Sequence, residues 1–203
     1  MEYRTDITSD NTSYPSEEAE DHLWEQRYQI LYRCRLSARY HRRRERFFDL
    51  MGRFTTAIAL FSGSAALAAA GTPWAVQIAA VMVVFSTILS LVFGFSDKAR
   101  QHSTMAESYK RIEAEMHRAG DYDYTERAIN IWKSQIAEIE SGEPQTLRTL
   151  VTLCQNEIAA AENQPDKIIP VPLIQRMFAH FFDVSAGKIV SPFHRKREPG
   201  THY

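Results

Sequence analysis

Apolar positions along this chain recur at intervals of three and four, and nowhere alternate with a period of two. The pattern predicts helices and no strands. The first stripe runs through Leu23, Trp24, Arg27, Tyr28, Leu31, Cys34 and Ala38. It predicts a helix over about 16–49, capped by Ser16 or Asp21. The rhythm continues through "RYHRRRERFFDLMGRF" into a different kind of segment. From Phe54 to Ser96, 43 residues, there is no Asp, Glu, Lys, Arg or His. One crossing of a hydrocarbon core takes about 20 helical residues. The stretch therefore accommodates two crossings, about 50–70 and 74–95, with a turn between them. Gly71, Thr72 and Pro73 supply that turn: glycine closes a helix and proline opens the next. A buried hairpin in a soluble bundle is the competing reading, but it requires a wet, charged face on each helix. Neither segment has one. Trp74 suits the interface between water and membrane.

Beyond the hairpin the stripes are those of ordinary amphipathic helices. Ala99, His102, Met105, Ala106, Tyr109, Ile112 and Met116 share one face of a helix over about 97–119, ended by Gly120. Ile129, Trp132, Ile136 and Ile139 mark a second over about 124–141, and Leu147, Leu150, Val151, Cys154 and Ile158 a third over about 145–163. Their stripes need one another, or copies from other subunits, for cover. The fold class expected is an all-α membrane protein: a two-transmembrane helical hairpin whose long helices extend into a cytoplasmic helical bundle. The segment 166–203 differs. A proline-punctuated piece precedes a short amphipathic helix over about 172–184, with Leu173, Ile174, Met177, Phe178, Phe181 and Phe182 opposite Gln175, Arg176 and Asp183. It either docks on the bundle, which is preferred, or lies on the membrane with help from Lys188 and the basic "HRKR" tail. Residues 1–15 and the last ten have the composition of disordered ends.

Average composition hides this organisation. The chain has 203 residues, 44% hydrophobic and 24% charged, with a net charge of −1. Charge is strongly segregated. Met1 to Gln26 holds eight acids and one arginine, whereas Arg27 to Arg53 holds nine arginines and two acids. Lysine and arginine flank both ends of the charge-free stretch and are absent from its turn, which places both termini in the cytoplasm of an inner-membrane protein with two spans. The basic cluster Arg39, Arg42, Arg43, Arg44 and Arg46 resembles a nucleic-acid patch in isolation. Beside a membrane segment, binding to anionic headgroups explains it better, and no nucleic-acid partner is expected.

The two apolar segments differ in texture. The first is rich in small residues, among them Ser62, Gly63 and Ala66; the second carries Ser86, Ser90 and Gly94 at four-residue spacing. Such ridges let helices approach closely in lipid. They pack the two helices of one hairpin, or they hold together a homo-oligomer, which is the sharper expectation. Thr55, Thr56, Ser62 and Ser64 would then line a polar path, although hydroxyls in apolar helices also bond their own backbone. Catalytic chemistry is not expected. There is no glycine-rich phosphate loop, nucleophile elbow or HExxH, the seven histidines are scattered, and Glu113 and Glu115 point in different directions. No metal or other cofactor is expected. Cys34 and Cys154 read as buried free thiols.

The layout resembles the SLATT domain, the SMODS- and SLOG-associating two-transmembrane effector module of bacterial conflict systems. The resemblance covers about residues 20–165. It rests on the order and spacing of Lys98, Ala99, His102 and Tyr109, then Trp132, Ile136, Ile139, Glu143-Pro144 and Asn156-Glu157 around the hairpin. It implies a pore-forming or membrane-perturbing effector in anti-phage defence, acting downstream of a sensor or a nucleotide second-messenger system. It carries over no catalytic residue, and a non-conducting scaffold that recruits a cytoplasmic partner remains the alternative.

Overall fold

A computed structural model describes residues 17–68, 71–121 and 125–181. Among them there are helices and no strands. The first helix, α1, runs unbroken from Glu17 to Ala68, 52 residues, so the helix expected over 16–49 and the first apolar segment are one rod. At about 1.5 Å per residue it is roughly 78 Å long. Glu17, Glu18 and Glu20 occupy its first turn, where the helix dipole favours negative charge. Ser16, an expected cap, lies outside the described residues, and Asp21 sits inside the helix.

The chain returns along this rod. Helix α2 spans Pro73–Phe93, with Thr72 as N-cap and Pro73 in its first turn. Helix α3 spans Phe95–Arg118. Between them stands one residue, Gly94, with φ +54°. Its N–H donates to the Ser90 carbonyl, and its own carbonyl accepts from the Lys98 N–H. The expected continuous exit from the second apolar helix is thus jointed at a left-handed glycine, a conformation that costs other residues steric energy. Gly120, with φ +85°, ends α3 as expected.

Helices α4 (Glu126–Ser141) and α5 (Arg148–Ala161) pack beside the polar half of α1. The Thr125 hydroxyl caps α4 by accepting from the Ala128 N–H. The α5 N-terminus has no cap of its own; the Leu147 N–H donates instead to the Tyr40 hydroxyl of α1 at 3.1 Å. Asn163, with φ +54°, ends α5. A short 3-10 turn, Pro165–Lys167, and an extended piece lead to α6, Leu173–Phe178, which is six residues long. Phe182 and Asp183, expected on that helix, lie outside the described residues, as do Lys188, the basic tail and residues 1–15.

The core lies entirely in the polar half of the molecule. Ile30, Cys34 and Ala38 of α1 meet Tyr109, Ile112 and Met116 of α3 and Ile129, Trp132 and Ile136 of α4. A second cluster joins Tyr40 to Leu150 and Cys154 of α5. The stripes of α3, α4 and α5 are the ones the sequence pattern marks. On α1 the face is rotated at the start: Trp24 and Tyr28 stack on each other at 5.7 Å and stay largely exposed. Buried Arg27 reaches across instead, donating to the carbonyls of Met116 and Gly120 and to Asp121, and so caps the end of α3.

Candidate membrane-spanning hairpin and the polar cluster at its base

The apolar half has almost no interior. Only 6% of the apolar window of α1 and 17% of that of α2 is buried. Both helices are long and apolar enough to cross a membrane. Their outward faces carry large side chains: Phe61 is 77% exposed, and Leu67 and Leu91 are each 82% exposed. Core helices of soluble proteins do the reverse, since a contiguous apolar surface of this extent is costly in water.

What the two helices bury against each other is small. Thr55 of α1 and Ala79 and Ser86 of α2 are buried, and Ser62, Gly63, Ala66, Ser90 and Gly94 are half-buried. Ala79, Ser86, Ser90 and Gly94 fall within about 80° of one another at 100° per residue. This ridge therefore faces α1 of the same chain, the packing role weighed against oligomerisation above. At its foot the chains come close: a Cβ on Gly52 would lie 3.6 Å from the Phe95 Cβ.

The four hydroxyl residues do not share a line. Thr55 and Ser62 project toward the α2 side of α1, Ser64 about 180° away and Thr56 between. The hydroxyls of Thr55 and Thr56 both donate to the Gly52 carbonyl, and Ser64 donates to the Leu60 carbonyl. On α2, Ser86 and Thr87 both donate to the Val83 carbonyl. Thr55, Thr56, Ser64, Ser86 and Thr87 thus satisfy their donors locally. Gly71 is exposed and Thr72 half-exposed at the turn.

In the arginine cluster Arg39, Arg42 and Arg46 are exposed and Arg43 and Arg44 half-buried, and Arg39, Arg42, Arg43 and Arg44 reach partners on the bundle surface. Arg39 and Arg43 both reach Glu157 of α5. Arg42 pairs with Glu45 at 2.8 Å and lies 3.8 Å from Glu107. Arg44 donates to the His180 carbonyl at 2.5 Å and lies over the Phe48 ring, 4.5 Å from its centre. Below them Arg33 pairs with Glu140 and Arg35 with Glu113. Arg39 and Arg43 tie α1 to α5, Arg35 ties it to α3 and Arg33 to α4. Arg46, nearest the apolar segment, is exposed.

Just below the hairpin sits a buried polar cluster. His41 of α1 and His102 of α3 approach through their Nδ1 atoms at 2.8 Å, with 0% and 3% of their surfaces exposed. Two ring nitrogens at that distance share one proton between them. His41 Nε2 lies 3.2 Å from a Glu143 carboxylate oxygen, an electrostatic contact out of hydrogen-bond alignment. The Tyr109 hydroxyl donates to the other oxygen at 3.1 Å. The rings stack: His41 on Tyr109, and His102 on Phe48. Burial pushes the His102 pKa down to about 4, reinforced by His41 and by the Arg44 charge. Burial acts to raise that of Glu143, but the contacts with His41 and Tyr109 outweigh it and hold the carboxyl below its ordinary value. The Tyr109 phenol is raised, by burial first and by Glu143 second. The two thiols are buried as expected, at about 12 for Cys34 and about 11 for Cys154, through burial foremost.

His102 is where its stripe puts it. His41 was missed as a partner, although it continues the stripe of Cys34 and Ala38 at the next helical interval. Glu143 sits in the "SGEPQ" breaker, where no periodicity signals a contact. Among the described residues no group of three or more metal-ligating side chains has the placement to hold an ion. Compared with known proteins, the chain matches no family model, no curated sequence and no solved structure.

Proposed function

We propose that this chain is an integral membrane protein whose α1–α2 hairpin crosses the bilayer twice, with the helical bundle and both ends on the cytoplasmic side. The observation that carries the reading is the pair of uncharged helical segments, the end of α1 and all of α2, with their large apolar side chains outward. Lipid is the solvent in which that surface is stable. The lysines and arginines on both flanks, and none at the turn, support the orientation.

Within that frame the preferred activity is that of an oligomeric effector that perturbs or perforates the inner membrane in bacterial anti-phage defence. This rests on the resemblance to the SLATT domain. The jointed connection at Gly94 supports a mechanism: α3 is a bundle helix, so a rearrangement there would reach α2 through one residue. One observation favours a non-conducting scaffold instead. The hydroxyls of Thr55, Thr56 and Ser64 bond their own backbone, and with Ser62 they do not form a polar line. A conducting state would therefore assemble its path from several hairpins.

Induced expression with a potential-sensitive dye separates the readings. Depolarisation under activating conditions supports the effector. Full potential and normal growth, with the protein floating in the membrane fraction, rule it out in favour of the scaffold. Recovery in the soluble fraction refutes both.

A further inference from the structure

Helix α6 is docked the wrong way round for a protein in water. Its inward side is small and polar: Ala179, in the turn after it, is fully buried, and Gln175 and His180 are half-buried. Its outward side is apolar, with Leu173 76%, Ile174 66% and Met177 72% exposed, and Phe181 beside them at 58%. A soluble bundle would bury those side chains and expose glutamine and histidine.

The docking is specific. Asn156 of α5 holds the extended segment before α6 with two bonds, its amide donating to the Ile169 carbonyl at 2.6 Å and its oxygen accepting from the Ile169 N–H at 2.8 Å. At the other end His180 stacks on Phe47 of α1 with ring centres 4.7 Å apart, and Phe181 meets the same ring edge-on at 5.0 Å. Arg44 holds the His180 carbonyl. These contacts fix the level of the segment along α1. Phe47 lies three residues, about 4.5 Å of helical rise, before Leu50. There the exposed apolar band begins, with Leu50 60% and Phe54 58% exposed. Arg46, beside Phe47 in sequence, and Arg176 of α6 are both exposed.

We propose that the outward face of α6, with Phe181, lies in the headgroup–acyl boundary of the bilayer at the foot of the hairpin, as an interfacial anchor. The occupant is phospholipid, because the face is continuous in level with the apolar band of the hairpin and is bordered by cations. Amphipathic helices bind such boundaries by apolar insertion plus attraction to anionic lipid. The inference rests on the hairpin's spanning the membrane, and its test distinguishes the two.

The full chain is reconstituted into vesicles of phosphatidylcholine and phosphatidylglycerol with one nitroxide label at a time, at Met177→Cys, Val84→Cys on α2 or Lys133→Cys on α4. The two native thiols are fully buried and stay unlabelled in the folded protein. Collision with oxygen reports lipid and collision with a nickel chelate reports water. Val84 should favour oxygen and Lys133 nickel. At Met177 nickel accessibility should fall about fivefold or more below that at Lys133, while oxygen accessibility stays high, as at a depth of ~5–10 Å. If Val84 reads as lipid and Met177 reads like Lys133, the anchor is refuted and the hairpin stands. If Met177 is shielded from both reagents, a second protein surface covers it and the lipid assignment is overturned. If Val84 itself reads as water, the hairpin fails and the anchor with it.

Discussion

Acidification should loosen the bundle at the base of the hairpin between pH 7 and pH 5, through His102 in the α1–α3 cluster and through His180, which burial likewise pushes down to about 4 where it docks on Phe47. In the folded chain His102 titrates at about 4 against 6.5 when free, with burial as the leading cause. A base whose folded pKa is depressed takes up fewer protons folded than unfolded. Its neutral folded form is therefore fully accommodated above pH 6.5, and stability is lost as pH falls toward 4. Integrated from pH 7 to pH 5, the linkage amounts to about 2 kcal/mol, roughly a 20-fold rise in the opening equilibrium. Glu143 is held low as well, so it works in the same direction, but its window lies below its ordinary value of 4.5. Hydrogen exchange of the α3 amides in the detergent-solubilised protein, corrected for the intrinsic pH dependence, measures that opening. His102→Gln keeps an amide near His41 Nδ1 and removes that titration, so its corrected exchange should rise clearly less over the same range, the remainder belonging to His180. Equal slopes in the two proteins, or a flat response in the unmodified chain, would refute the reasoning.

Other outcomes follow from single contacts. Gly94→Ala should cost about 1–2 kcal/mol, read as a lower Tm in detergent, because its φ is +54° while the space for a Cβ is open, with the nearest atom 3.9 Å away; Gly94→Asn, which tolerates left-handed backbone, should cost less. Trp132→Ala removes the largest side chain that α4 places in the core and should cost about 3–5 kcal/mol, seen as loss of cooperative unfolding. Asn156→Leu leaves both Ile169 backbone groups without their partner; it should expose the chain near Arg176 to trypsin while leaving the Tm of the bundle within a few degrees. Ser90→Leu enlarges a residue half-buried between α2 and α1 and should reduce disulfide cross-linking between cysteines placed on the two helices of one hairpin. Unchanged cross-linking within the chain, with fewer dimers, would assign that ridge to oligomer contacts instead.

The sequence marks whatever depends on local periodicity or on charge. The hairpin is visible because 43 uncharged residues admit no other economical arrangement, and the turn because glycine and proline flank it. The bundle stripes through Tyr109, Ile112, Met116, Ile129, Trp132 and Ile136 meet as their spacing implies. Three features escaped for a common reason: each depends on what another segment offers at long range. The individual partners of Arg39, Arg43 and Arg44, which are Glu157 of α5 and the His180 carbonyl, lie more than a hundred residues along the chain. Glu143 reaches His41 from a loop with no period. The apolar stripe of α6 reads as a docking face, yet Phe47 and Asn156 hold the opposite side inward. The boundary at Gly94 was also displaced, since a single left-handed residue interrupts an apolar run without changing its composition.

The central claim is that α1 and α2 cross a membrane and return. A cysteine at Thr72, in the turn, and another at Lys133, in the bundle, test it in intact cells with a maleimide that cannot cross the membrane. The account predicts that Thr72→Cys is labelled in intact cells and that Lys133→Cys is labelled only after permeabilisation. Labelling of neither site until the cells are opened, with the protein in the soluble fraction, would contradict it.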